Sequence, residues 1–80
     1  MKITYSIISR GHLIINYGDM SVTITGELIL DPPTFYADII ALKAWEVPNY
    51  QEITEEEKKD MIDYITNRSF DEIGTKIIFD

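Results

Sequence analysis

Ser9, His12 and Asp19 supply the residue types of a nucleophile triad. Such a triad needs its serine on a sharp strand-to-helix turn beside oxyanion donors. Here all three fall at the ends of hairpin strands with no G-x-S-x-G elbow, so His12 reads as a strand-end residue. Glu55, Glu56, Glu57, Asp60 and Asp63 carry the charge for a divalent cation. A hard cation needs a loop of oxygens wrapped around it. Carboxylates at helical spacing splay into water instead, and a solvated face is the expected reading. Glu56-x-Lys58 and Glu57-x-Lys59 echo the end of a metal-dependent nuclease signature, but that chemistry sets them on a strand beside a further acid, and here they open a helix. Gly11, Gly18, Gly26 and Gly74 are scattered, so no phosphate-binding loop is present. With no cysteine and a single histidine, thiolate and His-rich zinc sites are excluded, and so is a disulfide framework. No catalytic residue, metal or cofactor is expected, and the chain reads as a non-enzyme.

What remains is recognition. Trp45-Glu46-x-Pro48 is the most distinctive local pattern. Its tryptophan is either a binding anchor, since tryptophan dominates interface hot spots, or a core plug in a chain with few large side chains; the core reading is preferred. Glu27 and Glu46 are either exposed contacts for a basic surface or solvated charges, and Tyr36 is equally open. The formal net charge of −7 argues against nucleic acid, whose phosphates are held by Lys and Arg. It suits a basic protein partner as well as plain solubility. No apolar run approaches a membrane span. Met1-Lys2-Ile3-Thr4-Tyr5 alternates as strand, without the apolar stretch of a signal peptide. A cytoplasmic protein of one domain, residues 1–80, is expected.

The elements that position these residues divide at Ile53-Thr54. Before it the chain alternates apolar and polar. Strands are expected over 2–8, 12–17, 20–30 and 34–40, with a turn at Ser9-Arg10-Gly11 and a two-residue type II′ hairpin at Gly18-Asp19. The even-numbered stripe of the third strand runs Met20, Val22, Ile24, Gly26, Leu28, Leu30, and the gap at Gly26 implies close approach by a large ring, for which Trp45 is the candidate. Asp31-Pro32-Pro33 ends that strand, since proline cannot donate to a ladder. Residues 41–44 are either strand or a helical turn, and Asn49 to Glu52 is linker. Thr54 and Glu57 form a capping box. Met61, Ile62 and Ile65, edged by Tyr64, give the helix one apolar stripe, and Glu55 and Lys59 are spaced for an ion pair. The helix is expected to break near Asn67, with Ser69-x-x-Glu72 capping a second short turn, rather than run on to Ile73 with Gly74 as its terminal glycine. Residues 75–79 form a last strand inside the sheet. The fold class is α+β: an antiparallel meander of four to five strands with one amphipathic helix on one face.

Taken in order, Gly26-Glu27-Leu28, Tyr36, Trp45-Glu46-x-Pro48 and Ile53-Thr54-x-Glu56-Glu57, followed by a helix with Ile62 and Ile65, resemble a family of small bacterial immunity proteins, immunity protein 74 of polymorphic toxin systems. The resemblance spans roughly residues 12–79. It implies a cytoplasmic, non-enzymatic protein that binds and neutralises a cognate toxin, by analogy a nuclease. It marks Glu27, Tyr36, Trp45 and Glu46 as motif positions for the partner, and Gly26, Pro48, Thr54 and Glu57 as structural ones. The alternative is a structural or assembly module acting as a homodimer through an open sheet edge.

Overall fold

The structure is a computed structural model that describes residues 2–48 and 50–80. Asn49, in the expected linker, lies outside the described residues. Five strands form one sheet in the order β1-β2-β3-β4-β5: β1 Ile3–Ser9, β2 His12–Tyr17, β3 Met20–Leu30, β4 Pro33–Ala37 and β5 Lys76–Phe79. The first four are an antiparallel meander, as their alternation dictates. The β2–β3 hairpin closes on Tyr17 opposite Met20, with Gly18 at φ +61°, the backbone region that a type II′ turn requires at its first central position.

Two expectations about strands need correction. β4 ends at Ala37 rather than at residue 40, because Asp38 caps a single 3-10 turn over Ile39–Ala41: its Oδ1 accepts the N–H of Ile40 at 3.0 Å. Ile39 and Ile40 therefore leave the sheet and stand exposed. β5 does not lie inside the sheet. It is an edge strand, parallel to β4, with Phe35 opposite Ile77. β3 already occupies one side of β4, and the long crossover through a helix returns the chain in the direction that parallel pairing needs.

That helix, α1, spans Glu55–Ile73 without a break. The capping box is complete, with Glu57 N–H donating to Thr54 Oγ1 at 3.1 Å and Thr54 N–H donating to Glu57 Oε1 at 3.0 Å. The expected stop near Asn67 is wrong, because Ser69 is not a cap. It sits fully buried on the sheet-facing side, and its hydroxyl accepts the N–H of Ile77 in β5 at 2.9 Å. Ser69-x-x-Glu72 has the spacing of a cap, but the serine hydroxyl forms the seam between α1 and β5. The helix stops at Gly74, which takes the left-handed conformation at φ +72° and donates to the Phe70 carbonyl. Glu55 pairs with Lys58 at 3.2 Å, not with Lys59.

The core lies between α1 and one sheet face. Leu13, Ile15, Val22, Ile24, Phe35 and Ile77 enter it from the sheet, Met61 and Ile65 from the helix, and Leu42, Trp45 and Ile53 from the β4–α1 connection. α1 lies along β5 and also reaches β1 at the opposite edge, so the sheet curls as a half-barrel around the helix. The link to β1 is a hydrogen bond from the Tyr5 hydroxyl to the Glu72 carboxylate. Partial burial, then that carboxylate, raise the pKa of Tyr5 well above its ordinary 10.0. Its contribution to stability is thus present in full below about pH 10 and is lost as pH climbs toward the folded-state value. Thermal melts from neutral to strongly alkaline pH should show a midpoint that falls above about pH 10, and Tyr5→Phe should flatten that fall.

Candidate partner-binding surface

β3 is long enough to serve two neighbours, and what happens along its second side builds the site. Residues 26–30 pair with β4. Below that, Asp38 N–H donates to the Thr25 carbonyl at 2.9 Å, and Ser21 bonds to Glu46 and Val47. Between them the N–H of Thr23 has no strand to meet. Glu46 Oε1 accepts it at 2.6 Å, a side chain standing in for a missing ladder rung. The bond is exposed, so water can take over the N–H, and Glu46→Ala should cost about 0.5–1.5 kcal/mol, the net worth of an ordinary hydrogen bond; urea denaturation would measure it.

Trp45 is fully buried. Its ring lies 5.7 Å from that of Tyr17, and its Nε1 donates to Glu57 Oε1 at 3.3 Å. The same oxygen serves the capping box, so one carboxylate ties the tryptophan to the start of α1. The ring at Gly26 is not Trp45 but Phe35. A Cβ on Gly26 would lie 2.7 Å from Phe35 Cζ and 2.5 Å from the Tyr36 carbonyl oxygen. The strand periodicity correctly signals a ring over this glycine, but the ring comes from the adjacent strand rather than from the distant tryptophan. Pro48 is exposed and follows a cis peptide bond.

Glu27 and Tyr36 come together. They face each other across β3 and β4, and the row continues to Ile78 on β5. This is the sheet face opposite the helix, and both residues are exposed, Tyr36 at 41 %. They line an open depression of about 500 Å³ with Thr25, Gly26, Asp38 and Asp80. Asp38 and Asp80 carry no local sequence signal for this place. Asp38 arrives because it caps the 3-10 turn, and Asp80 because β5 runs parallel to β4 and Asp80 N–H donates to the Ala37 carbonyl at 3.0 Å. Three carboxylates and a phenol around a shallow, open dish make an electronegative surface shaped for a cationic side chain.

Ser9 and His12 do meet, with Ser9 Oγ 2.8 Å from His12 Nδ1. Asp19 lies in the turn at the other end of β2, roughly 20 Å away by strand rise, so the three form no triad. Among the described residues no group of three His, Cys, Asp or Glu is arranged to hold a metal ion, and no helix is long and apolar enough to cross a membrane.

Residues 2–80 match the family model of immunity protein 74. The chain belongs to that family. Comparison with curated proteins and with solved structures finds no match to either. As an immunity protein it has the role of neutralising a toxin, and that toxin is its partner. The family resemblance read from Gly26-Glu27-Leu28, Tyr36 and Trp45-Glu46-x-Pro48 is thereby borne out over the full match. Within this immunity protein those motif positions fall into two groups. Trp45, Glu46, Thr54 and Glu57 bond inward to the fold, whereas Glu27 and Tyr36 point out of it.

Proposed function

We propose that this immunity protein neutralises a basic toxin, a nuclease, by laying the outer sheet face around Glu27 and Tyr36 over the toxin's cationic nucleic-acid groove. The observation that carries the reading is the acidic depression itself, on the sheet face that no helix covers and at the two outward-facing motif positions. Glu27, Asp38 and Asp80 line the depression with Tyr36; in this reading the carboxylates stand in for phosphates in the groove and Tyr36 supplies a rigid, amphipathic contact. The net charge of −7 accelerates encounter with a positive partner. Trp45 and Glu46 act from behind, by holding β3 and α1 in register. The protein works in the cytoplasm of the producing cell, where a cysteine-free chain needs no oxidising environment.

The test is calorimetric titration against the toxin encoded beside it, together with growth rescue in cells expressing that toxin. Glu27→Lys should weaken binding by about 1.4–3 kcal/mol, ten- to a hundredfold or more, because a like charge replaces an opposite one. Tyr36→Ala should weaken it by about 1–2 kcal/mol. Both side chains are exposed, so the melting temperature should hardly move. Full rescue by Glu27→Lys, or a neighbouring product with no toxicity to relieve, would sink the proposal.

A further inference from the structure

β1 gives one side of its backbone to β2 and leaves the other unpaired. Gly18 N–H donates to the Lys2 carbonyl at 2.9 Å. Antiparallel alternation then turns the main-chain groups of Lys2, Thr4 and Ser6 toward β2. Ile3, Tyr5 and Ile7 turn theirs to the outer edge of the sheet, where no main-chain group among the described residues meets them. Proteins ordinarily blunt such edges with lysine, proline, a bulge or a very short strand. The other edge is blunted in this way, since β5 has only 4 residues and carries Lys76. Ile3–Ser9 has neither charge nor proline, and its one irregularity, the register shift between Ile7 and Ser9, lies beyond Ile7. The regular stretch Ile3-Thr4-Tyr5-Ser6-Ile7 reads alike in both directions: isoleucine, hydroxyl side chain, tyrosine, hydroxyl side chain, isoleucine. Alongside runs a crevice of about 300 Å³, walled by β1 from Lys2 to Tyr5 and by Tyr64, Glu72 and Ile73 of α1.

We propose that β1 pairs antiparallel with β1 of a second copy of this chain, about a two-fold axis at Tyr5. Backbone parity and side-chain order together select this occupant. An axis at Tyr5 sets Ile3 of each copy opposite Ile7 of the other and Tyr5 opposite Tyr5. Every outward N–H and C=O of the stretch then falls in a hydrogen-bonded pair. Thr4 meets Ser6 at the alternate positions. An axis at Ser6 would carry the pairing into the irregular end, and one at Thr4 would move Ile7 out of the overlap. Charge agrees with this choice. In the Tyr5 register Lys2 falls opposite Ile8, and Arg10 lies off the edge, its carbonyl held by the N–H of Leu28 in β3 at 2.9 Å. No like charges therefore oppose each other in the ladder. The charged groups beside the edge are Lys2 and Glu72 in the crevice and Arg68, whose guanidinium lies 4.5 Å over the Tyr64 ring. Each copy thus brings a patch of mixed sign to the seam, although the chain as a whole carries −7. Ile7 of one copy arrives beside Ile3 of the other, at the crevice where Ile73 is 40 % exposed. A short paired stretch and one crevice make a small interface, so the dimer is reversible rather than obligate. The edge lies at the opposite side of the sheet from β5, so both acidic depressions stay open, and the pairing stands or falls apart from the toxin-facing reading.

The experiment is sedimentation equilibrium together with an amide NMR dilution series on the full chain. Between about 0.02 and 2 mM protein, a monomer–dimer equilibrium is expected with a Kd of about 0.05–1 mM. Shifts that grow with concentration should be confined to β1 and to residues 64–73. Hydrogen exchange at Ile3, Tyr5 and Ile7 should slow at least about twofold across the series. Thr4 and Ser6 carry the decisive variants, because both are exposed and they face each other across the seam. Thr4→Glu with Ser6→Glu should weaken the dimer at least about tenfold by setting like charges opposite one another, and Thr4→Lys with Ser6→Lys should do the same. An equimolar mixture of those two chains should associate at least about tenfold more tightly than either alone. Should either chain fail to fold, Thr4→Lys with Ser6→Glu in one chain is self-complementary across the seam and should tighten the parent dimer at least about threefold. A chain that stays monomeric at about 2 mM, a dimer whose shifts centre on β5 or on Glu27 and Tyr36, or a dimer indifferent to these substitutions would each overturn the proposal.

Discussion

Trp45→Ala should destabilise the protein by about 3–5 kcal/mol, the range for deleting a buried aromatic side chain. Domains of this size are stable by about 5–15 kcal/mol in all, so the variant should be largely unfolded by modest urea. Three losses combine at this position. A fully buried indole leaves a cavity where β3, α1 and the connecting segment meet. Tyr17 loses the ring beside it. Glu57 loses the Nε1 donor that ties the helix start to the core. Trp45→Phe keeps much of the volume and loses the hydrogen bond, for which about 1–2 kcal/mol is expected. Urea unfolding followed by circular dichroism measures both. A cost below about 1 kcal/mol for the alanine variant, the ordinary range of a surface change, would refute the structural role. Trp45→Phe also separates scaffold from interface: at a temperature where it is folded, its affinity for the toxin should equal that of the parent.

The second large effect is expected at Gly26. Gly26→Ala should cost at least about 2–3 kcal/mol, toward the upper end for overpacking. Gly26 has no positive φ, so alanine is conformationally acceptable and the penalty is steric alone. The new Cβ would press on Phe35, which is fully buried and cannot swing aside, and on the Tyr36 carbonyl, which cannot retreat without opening the β3–β4 ladder. Phe35→Leu in the same chain should recover part of the loss by relieving the ring contact, and a double-mutant cycle from denaturation midpoints gives the coupling. The carbonyl contact stays in the double variant, so full recovery would contradict the geometry. Because Gly26 also lines the depression, displacing β4 should disturb the spacing of Glu27 and Tyr36 and weaken toxin binding as well.

These two residues show how far local pattern reaches. The period of two runs unbroken through Gly26, and from that alone a ring over the glycine follows. Which ring it is depends on the β3–β4 register, set by the turn at Asp31-Pro32 and invisible in either strand read singly. Trp45 was legible as a core residue from its size and scarcity, but its partners Tyr17 and Glu57 lie 28 and 12 residues away. Ser69 carried the opposite lesson. Ser69-x-x-Glu72 reads locally as the cap of a new turn, and only the arrival of β5 gives the serine hydroxyl a buried N–H to satisfy instead.

Residue order alone determined the meander, the Gly18-Asp19 hairpin, the capping box at Thr54 and Glu57 and the apolar stripe of α1, because each rests on interactions spanning a few residues. It also determined the acidic balance, which is a matter of composition. Tertiary structure decided the parallel placement of β5, the curling of the sheet around α1 and the gathering of Glu27, Tyr36, Asp38 and Asp80 into one depression. Those depend on which edges and faces remain free once the local elements have formed. That competition is settled by packing and by backbone hydrogen bonds between distant segments, which no window of the sequence contains.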